Sequence, residues 1–127
     1  MAVTVAMTRL PGLLADVVRD TFADDPAVRV EMLRATEPHR IDVAIRRKGA
    51  DVIIVGVPAG DGTVDRGLPY DLALRHRDLI VLALSTDARA AWMYELRPSA
   101  HPIREVSPAG LRAVVHEALE ARRGALP

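Results

Sequence analysis

The stretch Asp51-Val52-Ile53-Ile54-Val55-Gly56-Val57 decides the fold class of this 127-residue chain. Its apolar residues are mostly β-branched and follow one another without alternating with polar ones, which indicates a strand that is covered on both faces. Strands of this kind lie at the centre of parallel sheets in α/β proteins. We therefore take residues 51–57 as a central parallel strand.

Apolar runs and segments with helical periodicity alternate on both sides of this strand, which is typical of βαβ units. Further strands are predicted at 3–7, 28–33 and 79–84. Helices are predicted from Pro11 to about residue 24, over 38–48 between a Thr36 cap and a Gly49 stop, from Leu68 to near His76, and from Ser107 onwards. The predicted core-facing stripe of the first helix consists of Leu13, Leu14, Val17, Val18 and Phe22.

Residues 86–103 fit no single pattern. Ala88 to Leu96 could form a helix, whereas Trp92, Tyr94 and Leu96 also alternate as in a strand. We favour a short helix or turn, then an irregular stretch up to a fifth strand near Ile103 to Val106. The choice between helix and strand stays open.

Composition narrows the classes of function. The chain has 17 basic and 17 acidic residues and a formal net charge of zero, so no overall field draws it to nucleic acid or to an anionic membrane. It has no cysteine, which excludes disulfides and thiolate chemistry, and no apolar run approaches the ~20 residues of a membrane span. We expect one cytoplasmic domain over 1–127, with no nucleic-acid or membrane partner.

The order of predicted elements is that of a flavodoxin-like, doubly wound, five-stranded parallel sheet with strand order 2-1-3-4-5. In such folds ligands bind beyond the carboxyl ends of the central strands. Three stretches, Ala50–Gly62, Leu74–Ser85 and Ile103–Leu111, resemble the receiver (CheY-like) domains of bacterial two-component response regulators, chiefly those found with LuxR-like output domains.

The functional prediction depends on the positions where this sequence differs from the receiver pattern. The resemblance implies an acidic pair for Mg²⁺ after the first strand, a phosphoacceptor aspartate, a hydroxyl residue and a lysine. The acidic pair is replaced by Thr8-Arg9, or by Met7-Thr8 if the register shifts by one. Gly56 stands at the aspartate, Arg104 at the lysine, and Ser85 retains the hydroxyl. We therefore predict a pseudo-receiver without phosphorylation, metal, cofactor or enzymatic activity.

The residues that replace the acidic pocket allow two interpretations. Together they could form a pocket for a small anionic ligand, the set being Thr8, Arg9, Gly56, Ser85 and Arg104. Alternatively, Arg104 pairs with Asp87 or Glu105 while Arg9 is solvated, and we favour this interpretation. The four histidines, His39, His76, His101 and His116, show no metal-ligand spacing and are predicted at surface or helix-end positions.

A contact surface is predicted in the region equivalent to the fourth helix and fifth strand of receivers. Its candidate residues are Trp92, Met93, Tyr94 and Leu96, which could belong to the core instead. We predict a non-catalytic signalling or scaffolding module that binds an unidentified protein, with a homodimer through 88–106 as one form of that contact.

Overall fold

A six-stranded sheet lies between two layers of helices in the computed structural model of the chain, which describes residues 3–58, 67–94, 100–103 and 106–124. The described elements are, in chain order, β1 Val3–Thr8, α1 Gly12–Phe22, β2 Val28–Met32, α2 Pro38–Lys48, β3 Val52–Val57, α3 Leu68–Arg75, β4 Ile80–Ser85, β5 Ala91–Tyr94, β6 Ala100–Pro102 and α4 Pro108–Gly124. The predicted α/β class is confirmed.

The sheet has the order β2-β1-β3-β4-β5-β6. Strands β1 to β4 run parallel to one another, with Thr8 beside Val55 and Ser85 beside Val57. Every residue of β3 and β4 is buried, as the unbroken apolar run predicts for central strands. The carboxyl ends of β1, β3 and β4 therefore meet at one edge of the sheet.

Two apolar clusters hold the layers together. On one side α1 and α4 cover the sheet, and Val18, Phe22 and Val115 pack there on Met7 and Ile54. On the other side α2 and α3 cover it, with Ile41 and Leu72 packed near Ile53. The predicted inner residues of α4 lie in the first cluster, Leu111, Val115 and Leu119 as buried residues and Val114 and Ala118 as partly buried ones.

Local signals set the ends of α2 and the start of α4. The predicted bounds 38–48 are confirmed, and Gly49 ends α2 in a left-handed conformation with φ of 62°. Ser107 caps α4 by accepting the Gly110 N–H at 3.0 Å. The predicted Thr36 cap is wrong, since Glu37 occupies the N-cap position and makes no side-chain cap bond.

The fifth strand differs from the prediction. Residues 91–94 form strand β5, not a helix, and β5 runs antiparallel to β4. The antiparallel direction follows from the tight turn over 86–90, which is closed by the Ser85 N–H bonded to the Ala90 carbonyl at 2.9 Å. A parallel neighbour would need a long crossover connection instead. Ile103 and Val106, where a strand was predicted, lie outside strands.

The inner face of α1 is also rotated relative to the predicted stripe. Ala15, Val18 and Phe22 are buried, whereas Leu13 is 78% and Val17 is 38% exposed. The apolar surface of α1 is wider than the area that the sheet and α4 cover, so part of it faces solvent.

Candidate functional site

The candidate site is the edge of the sheet where β1, β3 and β4 end. Thr8 is the last residue of β1, Gly56 is the penultimate residue of β3, and Ser85 is the last residue of β4. All three are buried. The parallel order therefore brings these predicted residues to one edge, while Arg104 lies outside the described residues.

Gly56 is covered by the chain that leaves β1. A Cβ atom at position 56 would stand 2.7 Å from the Arg9 carbonyl carbon, closer still to its oxygen, and 3.2 Å from Leu10 Cδ2. Arg9 takes up a left-handed conformation with φ of 60°, which costs a non-glycine residue about 1 kcal/mol. The space that would receive an aspartate side chain is thus filled by backbone.

The side chains of Thr8 and Arg9 hold the neighbouring loop between β2 and α2. The Thr8 hydroxyl donates to the Ala35 carbonyl at 2.8 Å. The Arg9 guanidinium donates to the Thr36 carbonyl from Nε at 3.1 Å and from Nη2 at 2.7 Å. Arg9 is exposed, but its donors on this side are already bonded within the chain, which differs from the predicted solvated arginine.

Ser85 organises the turn that leads into β5. Its hydroxyl donates to Asp87 Oδ1 at 2.7 Å and accepts the Ala90 N–H at 3.0 Å. The Asp87 carboxylate also accepts the Arg89 N–H at 3.0 Å. The Ser85 hydroxyl bond, followed by the Arg89 backbone bond, holds the pKa of Asp87 below its ordinary value of 3.8. Ser85 therefore serves the turn and presents no free hydroxyl to the edge.

The geometry of this edge gives little room for an anion. A ligand above Gly56 would meet the Arg9 carbonyl, whose oxygen carries partial negative charge. The hydroxyls of Thr8 and Ser85 donate to acceptors within the fold, and Arg9 directs its Nε and Nη2 to the Thr36 carbonyl. An anion pocket needs hydrogen-bond donors that point into open space, and these bonded groups do not supply them.

The predicted contact residues lie on β5, and their side chains alternate between the two faces of the sheet. Tyr94 is 2% exposed and belongs to the core beside α3. It therefore follows the alternative in which the predicted contact residues are core residues. Trp92 is partly buried on the same face, and Met93 is partly buried on the face of α1 and α4. Leu96 lies outside the described residues.

Two clusters of histidine, arginine and aspartate were not predicted from the sequence. Asp42 on α2 binds Arg75 at 2.6 Å and His76 Nε2 at 2.7 Å. On the opposite face of the sheet, Asp25 lies 3.2 Å from His116 Nε2 and 3.7 Å from Arg112 of α4. The partners are 33 to 91 residues apart in sequence, so no local spacing announces them. Both clusters tie neighbouring elements together.

A small apolar hollow of about 190 Å³ lies beside the site, between α1, α4 and the end of β4. Leu14, Leu84 and Leu111 contribute to its walls. Among the described residues that line it, Ser107 has the hydroxyl group, which already caps α4. The hollow therefore brings no pair of reactive groups together.

The described parts of the chain contain neither a candidate metal cluster nor a candidate membrane span. No three histidine or carboxylate side chains there are grouped so that they could hold a metal ion. No helix there combines the length and apolar character needed to cross a bilayer.

Comparison with known proteins gives a limited similarity. No protein-family model matches the chain, and no solved structure matches it. Among curated proteins it is similar to the uroporphyrinogen decarboxylase of Maricaulis maris (strain MCS10), with 31% identity over 98 residues that cover 74% of this chain and 26% of that enzyme. The chain thus spans about a quarter of the enzyme's length. The receiver resemblance is named by none of these comparisons and stays a prediction.

Proposed function

We propose that the chain is a pseudo-receiver, a non-catalytic signalling or scaffolding module that acts by contact with another protein and without aspartyl phosphorylation. The contact between Gly56 and the Arg9 backbone carries this proposal. It explains why position 56 has no side chain, and it leaves no open cleft above the end of β3. Phosphoryl transfer to an aspartate needs both a carboxylate nucleophile and a charged pocket around it.

The finer fold assignment belongs to the same proposal. The order β2-β1-β3-β4 and the helices on both faces are compatible with a flavodoxin-like sheet of the receiver type. We infer that the antiparallel β5 replaces the crossover and parallel fifth strand of that type. The replacement alters the part of the fold through which we expect contacts.

Strand β5 offers the predicted contact surface. The chain passes from β4 to β5 through a tight turn with no helix among the described residues 86–94, and α3 packs beside β5 on the face that carries Trp92. Trp92 is partly exposed there. Tryptophan is enriched among residues that dominate binding energy. We propose that a second copy of the chain or a partner protein covers Trp92 and, at its margin, Met93.

Phosphoryl uptake tests the non-catalytic part. The purified chain is incubated with acetyl phosphate and Mg²⁺, beside a phosphorylatable receiver as positive control, and its intact mass is measured. We expect an unchanged mass for the chain and an increase for the control. A mass increase that maps to any aspartate of the chain would contradict the proposal.

Sedimentation velocity over a dilution series tests the contact surface. Trp92 is the single tryptophan of the chain, so its emission also reports directly on burial of this surface. We expect association that is weakened by Trp92→Ala and unchanged by Leu74→Ala, a matched loss of apolar surface at a residue that is 49% exposed on α3. Equal behaviour of the two variants would remove β5 as the contact surface.

The anion-sensor alternative has a direct test as well. It places a ligand against the exposed Arg9 guanidinium, whose Nε and Nη2 are already bonded to the Thr36 carbonyl. Titration with inorganic phosphate should leave the amide signals of Thr8, Gly56 and Ser85 in place, and saturable shifts at these residues would favour the sensor. The similarity to uroporphyrinogen decarboxylase covers too little of that enzyme to enter the proposal.

A further inference from the structure

Helix α2 concentrates positive charge on its outer side. Its eleven residues include one carboxylate, Asp42, against four arginines or lysines and one histidine. Six residues of α2 line an open concavity, which we name the basic face: His39, Arg40, Val43, Ala44, Arg47 and Lys48. Since the whole chain has no net charge, the basic face is a local feature and not a result of overall composition.

Asp42 does not neutralise the basic face. Its carboxylate is bound to Arg75 and His76 of the α3 region, and its side chain is only 14% exposed. The acidic group of α2 is therefore used for packing against α3. Asp42 therefore offsets none of the charge on the opposite side of the helix.

The other carboxylates near α2 compensate the basic face in part. Lys48 forms a salt bridge with Glu31 at 3.2 Å. Arg40 lies 3.8 Å from Glu37, with about three quarters of each side chain exposed, and such pairs contribute at most about 1 kcal/mol. Among the described residues Arg47 has no salt-bridge partner.

The helix dipole explains only some of these positions. Basic residues in the last turn of a helix interact favourably with its dipole, which accounts for Arg47 and Lys48. Arg40 lies in the first turn, where a positive charge is unfavourable. The exposed pair with Glu37 offsets this only in part, so Arg40 adds little to the stability of α2.

Val43 lies in the middle of the basic face and is 46% exposed. It follows Arg40 by three residues and precedes Arg47 by four, so these three side chains form one stripe along the helix. We propose that this stripe binds an acidic helical segment of a partner protein, with carboxylates one turn before and after an apolar side chain that contacts Val43. The inference rests on the proposed function as a protein-binding module.

A protein segment fits the stripe better than a nucleic acid does. Phosphate backbones present a continuous line of charge and gain nothing from an apolar centre. Val43 and Ala44 interrupt the charged side chains where an apolar partner side chain can be covered. The zero net charge also gives no long-range attraction to nucleic acid.

The test uses the full chain labelled with ¹⁵N and two synthetic peptides. The first peptide is an amphipathic 15-residue helix with glutamates one turn before and after a central leucine, and the second has glutamines in place of the glutamates. We expect shifts confined to the amides of 39–48, present with the glutamate peptide, absent with the glutamine peptide, and reduced as salt is raised.

Charge reversal supplies the matched comparison. The double variant with Arg40→Glu and Arg47→Glu should bind the glutamate peptide at least about tenfold more weakly. Arg19→Glu on α1, whose side chain is 54% exposed, should bind as the native chain does. Urea unfolding of each variant establishes that the fold is retained, and single reversals serve if the double variant does not fold.

Three results would overturn the inference: equal shifts with both peptides, equal weakening by Arg19→Glu, or tighter binding of a 20-base-pair DNA duplex than of the glutamate peptide. Absence of peptide binding without phosphoryl uptake removes the basic face as a docking surface and leaves the proposed function in place. Phosphoryl uptake removes the proposed function, whatever the peptides do.

Discussion

Replacing Gly56 by alanine adds a single methyl group at the point where β3 passes beneath the chain that follows β1. The new Cβ would lie 2.7 Å from the Arg9 carbonyl carbon and closer still to its oxygen, whereas ordinary van der Waals contact begins at 3.4 Å, so the Arg9 backbone must retreat by well over ~0.7 Å. Backbone cannot rotate away as the end of a flexible side chain can. The strain must therefore be relieved by moving the whole loop.

The size of the effect follows from what anchors that loop. Overpacking a close-packed site costs ~1–3 kcal/mol. Moving Arg9 also stretches its bonds to Thr36 and the neighbouring Thr8 bond to Ala35, at ~1 kcal/mol for each hydrogen bond lost. We expect Gly56→Ala to lower the free energy of unfolding by about 3–4 kcal/mol, a large part of the ~5–15 kcal/mol typical of a domain.

Urea unfolding followed by circular dichroism measures this loss. Gly12→Ala is the matched control, because an added Cβ at the start of α1 meets nothing within 4 Å and should leave stability unchanged or raise it by up to ~1 kcal/mol. If Gly56→Ala cost less than ~1 kcal/mol, the close approach of Arg9 to Gly56 would be refuted, since even the low end of the overpacking range would then be missing.

Three further substitutions test separate features of the site and its surroundings. Thr8→Val should cost ~1–2 kcal/mol in urea unfolding because the partly buried Ala35 carbonyl loses the donor from buried Thr8, while Thr21→Val, whose hydroxyl bonds Val17 on an exposed part of α1, should cost under ~0.5 kcal/mol. Ser85→Ala should raise the pKa of Asp87 towards 3.8 in a carboxyl NMR titration, and an unchanged titration would disprove the Ser85 bond. Because the native fold lowers the pKa of Asp87, the stabilisation from this contact is present above pH 3.8 and is lost on acidification. Leu13→Ala should change stability by less than ~0.5 kcal/mol and Val18→Ala should lower it by about 2 kcal/mol, whereas comparable losses from both would mean that the predicted stripe, which contains both residues, faces the core.

The central part of the fold could be predicted because its signals are local. The β-branched run 52–57 needs cover on both faces whatever its neighbours are, and β3 is buried throughout. Pro38 and Gly49 act on their own backbone, and they bracket α2 as predicted. Alternating strands and helices then restrict the sheet order to a few choices, of which the observed order of β1 to β4 is the usual one.

The end of the sheet could not be predicted because its signals depend on tertiary structure. Four residues over 91–94 are too few to separate helical from strand periodicity. The direction of β5 depends on the bonds that Ser85 makes to Asp87 and Ala90. For α1, the choice between facing Leu13 or Ala15 inward depends on how much surface the sheet and α4 can cover.

The position of the site could be predicted from the sequence, but the packing of the Arg9 backbone on Gly56 could not. The topology places Thr8, Gly56 and Ser85 at one edge, which sequence order alone indicates. That Arg9 turns its carbonyl onto Gly56 depends on a left-handed residue and on a loop from another part of the chain. Neither feature can be recognised from the residues around Gly56. The sequence therefore does not distinguish an open anion pocket from an edge that is filled by backbone.

Because the Arg9 backbone fills the space above Gly56, restoring an aspartate there would not restore a pocket. If Gly56 were only a lost aspartate, the change Gly56→Asp would return a nucleophile to an otherwise intact pocket. Because the Arg9 backbone occupies that space, the aspartate would instead be forced against a carbonyl, with its charge unpaired at a buried position. We expect Gly56→Asp to destabilise the chain at least as much as Gly56→Ala and to take up no phosphoryl group from acetyl phosphate. A stable, phosphorylated Gly56→Asp variant would mean that the loop yields easily and that residue 56 alone prevents phosphorylation.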